Sequence, residues 1–303
     1  MSLEADQLID RRRLKRRLAY WRVFGILAAL VLVVAAVGRF SPWAGRDYVA
    51  LLNVEGIILD DRARDATLRG IAENNSARAL VVYIDSPGGS VVGGETLYLS
   101  LRAVAENKPV VAVMGDVATS AGYMAALGAD YIFARSGSVT GSIGVIMQSA
   151  DITGLLEKLG IKPESVKSAP LKAQPNPMEP FSPQAREATR AVVLDVFNSF
   201  VDLVAERREM AREDALKLAD GRIYTGRQAK ALSLVDELGG ERKARKWLAA
   251  THGIDESMPV HNVRIEREDG VWREFLDSSV GKTVFSERLR LDGLISLWQP
   301  DIW

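Results

Sequence analysis

From Tyr48 onward two kinds of hydrophobic pattern alternate along the chain. Tyr48 to Ile58, Ala79 to Ile84 (ALVVYI), Val110 to Met114 and Tyr131 to Ala134 are nearly continuous apolar runs rich in Val, Leu and Ile. Runs without polar alternation suit strands covered on both faces. Between them, Ala63 to Asn75, Gly93 to Glu106 and Ser120 to Ala126 have helical character. Strand and helix therefore alternate, which predicts an α/β class. Beyond Val145 the pattern turns more helical, with Asp151 to Leu159, a long amphipathic stretch from Ser182 to Met210, Arg212 to Ala219, and Glu241 to Thr251. Ser182 as N-cap with Pro183 at the first helical position marks a definite start. From Ile254 onward no strong periodicity is present.

Ahead of this body stands an apolar run, Val23 to Gly38, preceded by Arg11, Arg12, Arg13, Lys15, Arg16, Arg17 and Arg22. An uncharged run of this length is slightly short for a bilayer. Arg22 and Arg39 can snorkel while Leu18, Ala19, Tyr20, Trp21 and Phe40 extend it. The pattern predicts a signal anchor with the basic block in the cytoplasm and everything after about residue 40 outside it. A cleaved signal peptide is the alternative, but no strong small-x-small site ends the run. The expected organisation is a basic N-terminus over 1–22, a transmembrane anchor over 23–40, a linker over 41–47 broken by Pro42 and Gly45, a main domain over 48–250, and a C-terminal extension over 251–303. That extension carries Trp272, Trp298 and Trp303, suited to packing or oligomer contacts.

Composition narrows the chemistry. The 303 residues are 48% hydrophobic and 26% charged, ordinary for a globular protein, so disorder is not the default. Net charge is zero, yet residues 1–40 hold eight Arg/Lys against three Asp/Glu, leaving the body mildly acidic. A duplex reader needs a basic face, so nucleic acid is not an expected partner. No cysteine is present, which removes disulfides, thiol nucleophiles and Cys-ligated zinc. The two histidines, His252 and His261, lie beyond the main domain without a third nearby ligand, so no metal is expected. No cofactor is expected either: Gly281-Lys282-Thr283 matches the end of a phosphate loop, but Leu276 stands where its first glycine is required.

Three glycine-containing turns carry candidate chemistry. Asp85 to Ser90 (DSPGGS) follows a strand, and Gly88 and Gly89 can aim backbone N–H groups at a bound oxygen; a tight turn needing positive φ is the plainer reading. Thr119 to Tyr123 (TSAGY) places Ser120 where strand hands over to helix, a position suited to a nucleophile, with the Ala121 N–H beside the developing oxyanion. A simple N-cap serine is the alternative. Thr140 to Gly144 (TGSIG) offers Ser142, which either supports a catalytic group or closes a turn.

Taken together, IDSPGGSV, TSAGYMAALGADYIFARSGSVTGSIGVI and YTGRQAKALSLVDELGG resemble the signal peptide peptidase A family, also called protease IV. Those enzymes are relatives of the Clp protease proteolytic subunit and have a crotonase-like fold of repeated β-β-α units. The resemblance covers about residues 48–245 and implies a serine-lysine dyad peptidase, with Ser120 as nucleophile and a lysine-supporting hydroxyl at Ser142. The implied base lies a little over fifty residues further on, ahead of a long helix. Lys172, 52 residues after Ser120, fits that spacing, and Lys167 is the runner-up. The family often has Gly and an aromatic residue just before this lysine where this chain has Ala169-Pro170-Leu171, and Ser233 stands where the closing motif usually has Gly. A lysine base is also what elimination leaves, because no histidine falls in the window where the Clp subunit has its own. An amine serves as base only if apolar surroundings bring its pKa down from about 10.4.

The resemblance further implies remnant signal peptides as substrates, a bacterial inner-membrane location with the peptidase domain outside the cytoplasm, and a ring-shaped homo-oligomer in which one subunit's lysine meets its neighbour's serine. Two other classes share the fold: a crotonase-type acyl-CoA enzyme and a non-catalytic scaffold.

Overall fold

The computed structural model describes residues 15–32, 46–265 and 295–297. Residues 33–40 of the expected anchor, most of the linker, and Trp272, Trp298 and Trp303 lie outside the described residues. The chain forms two units, Met1–Arg46 and Asp47–Trp303. In the first, residues 15–32 form helix α1, whose residues from Val23 to Leu32 are apolar and, apart from half-buried Ala28, exposed. Among the described residues no helix is long and apolar enough to cross a membrane.

The second unit is a mixed α/β structure on a mostly parallel sheet. In chain order it comprises β1 (Tyr48–Ile58), α2 (Arg62–Glu73), β2 (Ala77–Ser90), α3 (Val91–Ala105), β3 (Val110–Thr119), α4 (Ala121–Ala126), β4 (Tyr131–Ala134), β5 (Val139–Gly141) and α5 (Thr153–Lys158). It continues through α6 (Pro183–Arg207), α7 (Arg212–Leu218), β6 (Ile223–Thr225), α8 (Gly226–Ala231), β7 (Glu237–Leu238), α9 (Glu241–His252), β8 (Val260–Asn262) and β9 (Ile295–Leu297). The main path of the sheet is β6-β5-β3-β2-β1-β8; β4 also pairs with β3 and β7, and β9 with β2. Among the described residues only β5·β6 and β2·β9 are antiparallel. Strands β4 and β5 follow one another without a helix between them, each pairing with β3, whereas β1, β2 and β3 are each followed directly by a helix.

The continuous apolar runs are explained by burial on both faces. Successive strand residues point to opposite sides. Leu80, Val82 and Ile84 of β2 pack into a core with Leu97, Leu101, Phe200 and Val204. Their neighbours Ala79 and Val81 pack on the other face with Val111, Val113, Phe133, Ala244 and Leu248. Each fully buried Leu, Val or Phe in these layers stabilises the fold by roughly 1.5–3 kcal/mol.

The expected elements match at β1 and β4, and α6 starts as expected, with the Ser182 side chain accepting from Ala185 N–H and Pro183 opening the helix. Three regions differ. Strand β2 does not end at Ile84 but continues through Pro87, Gly88 and Gly89, paired along β1 up to Ile58↔Gly89. Strand β3 runs on to Thr119 because it changes partner, leaving β4 after Met114 and joining β5 at Val117. The short strands β5 to β9 lack a legible period, since two or three residues cannot establish one.

Candidate active site

Strand β3 delivers its last residue, Thr119, directly to the corner at Ser120. Ser120 has φ 57 and ψ −118, a conformation that L residues seldom adopt and that costs of order 1–3 kcal/mol. Its side chain makes no capping bond to α4, so the plain N-cap reading does not describe this corner. Neighbours hold the strained turn. The Ser120 N–H donates to the Gly141 carbonyl at 2.8 Å, and the Ser120 carbonyl accepts from Met124 N–H at 2.9 Å. Thr119 Oγ1 donates to the Pro87 carbonyl at 3.0 Å, tying the corner to the glycine strand. Gly122 must be small, because a Cβ there would sit 3.0 Å from the Ser86 carbonyl oxygen. Ser120 is 1% exposed and Ala121 fully buried. As the first residue of α4, Ala121 presents an N–H with no acceptor inside the helix.

The same bonds bring the other two turns to this corner. Gly88 has φ 117, and its N–H donates to Ser86 Oγ at 3.1 Å. The Ser86 hydroxyl donates in turn to the Gly56 carbonyl at 2.6 Å. Gly88 is therefore committed to shaping the strand, and of the two glycines Gly89 has the N–H not taken by Ser86. Gly89 passes so close to β1 that a Cβ would lie 1.8 Å from the Ile58 carbonyl oxygen. On the other side Gly141, with φ 83, joins the acceptor of the Ser120 N–H to Ser142. Ser142 is itself at φ 51, is 8% exposed, and donates its N–H to the Arg222 carbonyl at 2.8 Å.

The lysines are a different matter. Lys167 forms an ion pair with Glu179, whose carboxylate also accepts from Ser165 Oγ at 2.6 Å and Gln174 Nε2 at 2.8 Å. The Lys167 bond first, and then the Ser165 bond, hold the Glu179 carboxyl below its ordinary range. Lys172 lies in a turn of the irregular segment before α6, its N–H donating to the Ala169 carbonyl at 3.1 Å. It is exposed, and among the described residues its ammonium has no hydrogen-bond or ion-pair partner. Ser120, Ala121, Gly88, Gly89 and Ser142 thus converge, while no bond joins Lys172 to them within one chain.

Sequence comparison identifies the family. The family model described as Peptidase family S49 matches residues 102–255, about half of the chain, and the Clp protease model matches residues 51–140. A protein of Synechocystis sp. named as a protease is 39% identical over 212 residues, 69% of this chain and 76% of its own length. The chain belongs to peptidase family S49. Its fold is Clp-protease-like and its enzyme class is serine peptidase. A protein of Enterococcus faecium named as a signal peptide peptidase SppA is 34% identical, over 57% of this chain and 50% of that protein. The chloroplast serine protease SPPA of Arabidopsis thaliana is 28% identical, over 83% of this chain and 39% of that protein. The chain thus spans half or less of the length of these two relatives.

Within this S49 peptidase, several supporting residues are invisible to motif reading. Ser86, Thr119 and Thr140 are buried hydroxyls whose bonds lock the corner; Thr140 Oγ1 donates to the Ala118 carbonyl at 2.7 Å. Each sits in a quoted motif, but only its partner across the sheet reveals its task. The available signal was a small hydroxyl residue at the end of an apolar strand, where burial demands a bonded partner.

Proposed function

We propose that this S49 peptidase cleaves extended peptides through a Ser120–Lys172 dyad. Ser120 Oγ attacks the scissile carbonyl as Lys172 Nζ takes its proton, and that proton passes to the leaving amine. The N–H groups of Gly89 and Ala121 receive the oxyanion, and water activated by Lys172 then hydrolyses the acyl-enzyme. Ser142 orients the lysine. The observation that carries this reading is the Ser120 backbone, a non-glycine residue held at φ 57 between strand β5, whose Gly141 carbonyl accepts its N–H, and helix α4, whose Met124 N–H donates to its carbonyl. Strain retained in that way is characteristic of functional positions. Lys172 is favoured over Lys167 because the Lys167 ammonium is already engaged by the Glu179 carboxylate.

An exposed lysine makes a poor base, so burial must come from outside the single chain. We assign that burial to a neighbouring subunit in a ring-shaped homo-oligomer, with the dyad formed across the interface. The apolar, exposed helix from Val23 to Leu32 behind a basic N-terminus supports a membrane anchor completed by the following residues, with the peptidase unit on the far side of a bacterial inner membrane. Remnant signal peptides are then the substrate class, since they are apolar, extended and delivered at that surface. Fluorophosphonate labelling of the assembled protein tests the dyad: wild type and Lys167→Ala label, whereas Ser120→Ala and Lys172→Ala do not. Equal labelling of wild type and Lys172→Ala would overturn the assignment of the base.

A further inference from the structure

Lys172 sits within a loop that one carboxylate gathers together. Lys167 Nζ and Gln174 Nε2 both donate to Glu179 Oε2, the latter at 2.8 Å, and Ser165 Oγ donates to Glu179 Oε1 at 2.6 Å. The chain from 168 to 173 therefore leaves Glu179 and returns to it, with Lys172 on the excursion. Two turns fold that excursion: the Lys172 N–H donates to the Ala169 carbonyl at 3.1 Å, and the Gln174 N–H to the Leu171 carbonyl at 3.3 Å. Between them Ala173 has φ 59, a left-handed conformation that a residue with a Cβ takes when its surroundings impose it. Glu179 is itself held from the helices on either side. It stands three residues ahead of Ser182, the cap of α6, and its N–H donates to the Asn176 carbonyl at 3.3 Å. The adjoining Pro177 carbonyl accepts from the N–H of Ile152, the cap of α5, at 3.0 Å.

We propose that Glu179 is a positioning residue for the base: its carboxylate closes the loop, so that Lys172 meets the nucleophile of the neighbouring subunit with its backbone already shaped. The proposal rests on Lys172 being the base. A carboxylate that gathers donors on an open segment adds little to global stability. What it fixes is the direction in which the excursion projects, and ordering a short loop beforehand lowers the entropy lost when its tip is engaged. Lys167 is then a strut for Lys172 rather than a competitor for its role. Removing Lys167 leaves Ser165 and Gln174 on the carboxylate and the loop closed, whereas removing Glu179 releases all three donors.

The assembled full-length protein tests this with a fluorogenic apolar peptide. Glu179→Ala should lower kcat about 10- to 100-fold with KM within about twofold, the signature of a misplaced catalytic group. Glu179→Gln, which keeps an acceptor oxygen, should recover part of kcat, and Lys167→Ala/Gln174→Ala should match Glu179→Ala although the carboxylate remains. Mixed assemblies locate the effect. When Ser120→Ala subunits are combined with Lys172→Ala subunits, only the former supply the base. Adding Glu179→Ala to the Ser120→Ala subunits should cut the recovered activity by the same factor, and adding it to the Lys172→Ala subunits should leave it unchanged. Wild-type kcat in Glu179→Ala, or equal losses in the two mixed assemblies, would overturn the proposal. Loss of kcat together with loss of the assembly on size exclusion would do the same, by making Glu179 an interface residue. If the unmodified mixture is inactive, the dyad lies within one chain and the kcat of the single variants decides the role of Glu179. Full activity of Lys172→Ala would instead sink the dyad on which the proposal rests.

Discussion

The corner around Ser120 and the segment carrying Lys172 are built on opposite principles. At the corner, two strands and a helix constrain one residue: Gly141 fixes its N–H, Met124 its carbonyl, Pro87 holds Thr119, and Gly122 admits the Ser86 backbone. The segment from Leu159 to Phe181 has no strand and is mostly exposed, its contacts coming from turns and from the Glu179 cluster. A nucleophile needs orientation, which one folded chain can supply through buried bonds. A neutral amine needs exclusion of water, and a single chain of this shape leaves Lys172 open to it. On the proposed dyad, the contrast is a division of labour: one chain prepares the hydroxyl, and assembly prepares the base.

The largest expected effect is at the constrained corner. Ser120→Ala should lower kcat/KM by about 10⁴–10⁶-fold with the melting temperature little changed, because Ala keeps the backbone bonds to Gly141 and Met124 that hold the corner. Retained peptide cleavage by this variant would remove the basis of the comparison. On the exposed side, Lys172→Ala should cost about 10³–10⁴-fold, whereas Lys167→Ala should stay within a few-fold. Co-assembled Ser120→Ala and Lys172→Ala subunits should recover part of the activity if each interface combines one residue from each chain. Failure to recover any would return the dyad to a single chain.

Smaller effects sharpen the contrast. Gly89→Ala forces a Cβ to within 1.8 Å of a backbone oxygen and should cost about 3 kcal/mol or more, read as a drop in thermal melting. Gly137→Ala meets nothing within 4 Å and should stay within about 0.5 kcal/mol. Ser142→Ala should reduce kcat by about 10–100-fold without changing KM, if its hydroxyl orients the base. The smallest effect on stability belongs to Glu179. Its folded pKa is depressed, so the stability it adds is present above the unfolded value of about 4.3 and is lost as pH falls through the folded value. Melting curves of wild type and Glu179→Gln should therefore differ at neutral pH and converge in acid.

Much of the site was readable before any fold was known, and the reason is local. A serine at a strand-to-helix handover beside a small residue and a glycine leaves its mark in five consecutive letters, and so do paired glycines after an apolar strand. Gly88 shows the limit of that reading. Its place in the motif suggested an oxyanion donor, yet its N–H belongs to Ser86, a bond set by a hydroxyl that also reaches back to Gly56. The continuation of β2 past Ile84 was likewise hidden, because Pro87-Gly88-Gly89 reads as a turn until β1 is seen alongside it.

By itself the sequence determined the alternation of strands and helices, the double-sided burial of the sheet, the start of α6 and the identity of the nucleophile candidate. Each of these depends on side-chain period or on backbone preference within a few residues. Tertiary structure alone decided which lysine is tied up by a carboxylate, which glycine N–H is already used, and that β9, far along the chain, lies on the edge at Gly88–Ser90. Such facts depend on register between segments distant in sequence, and no short-range pattern encodes a pairing whose two halves are separated by most of the chain.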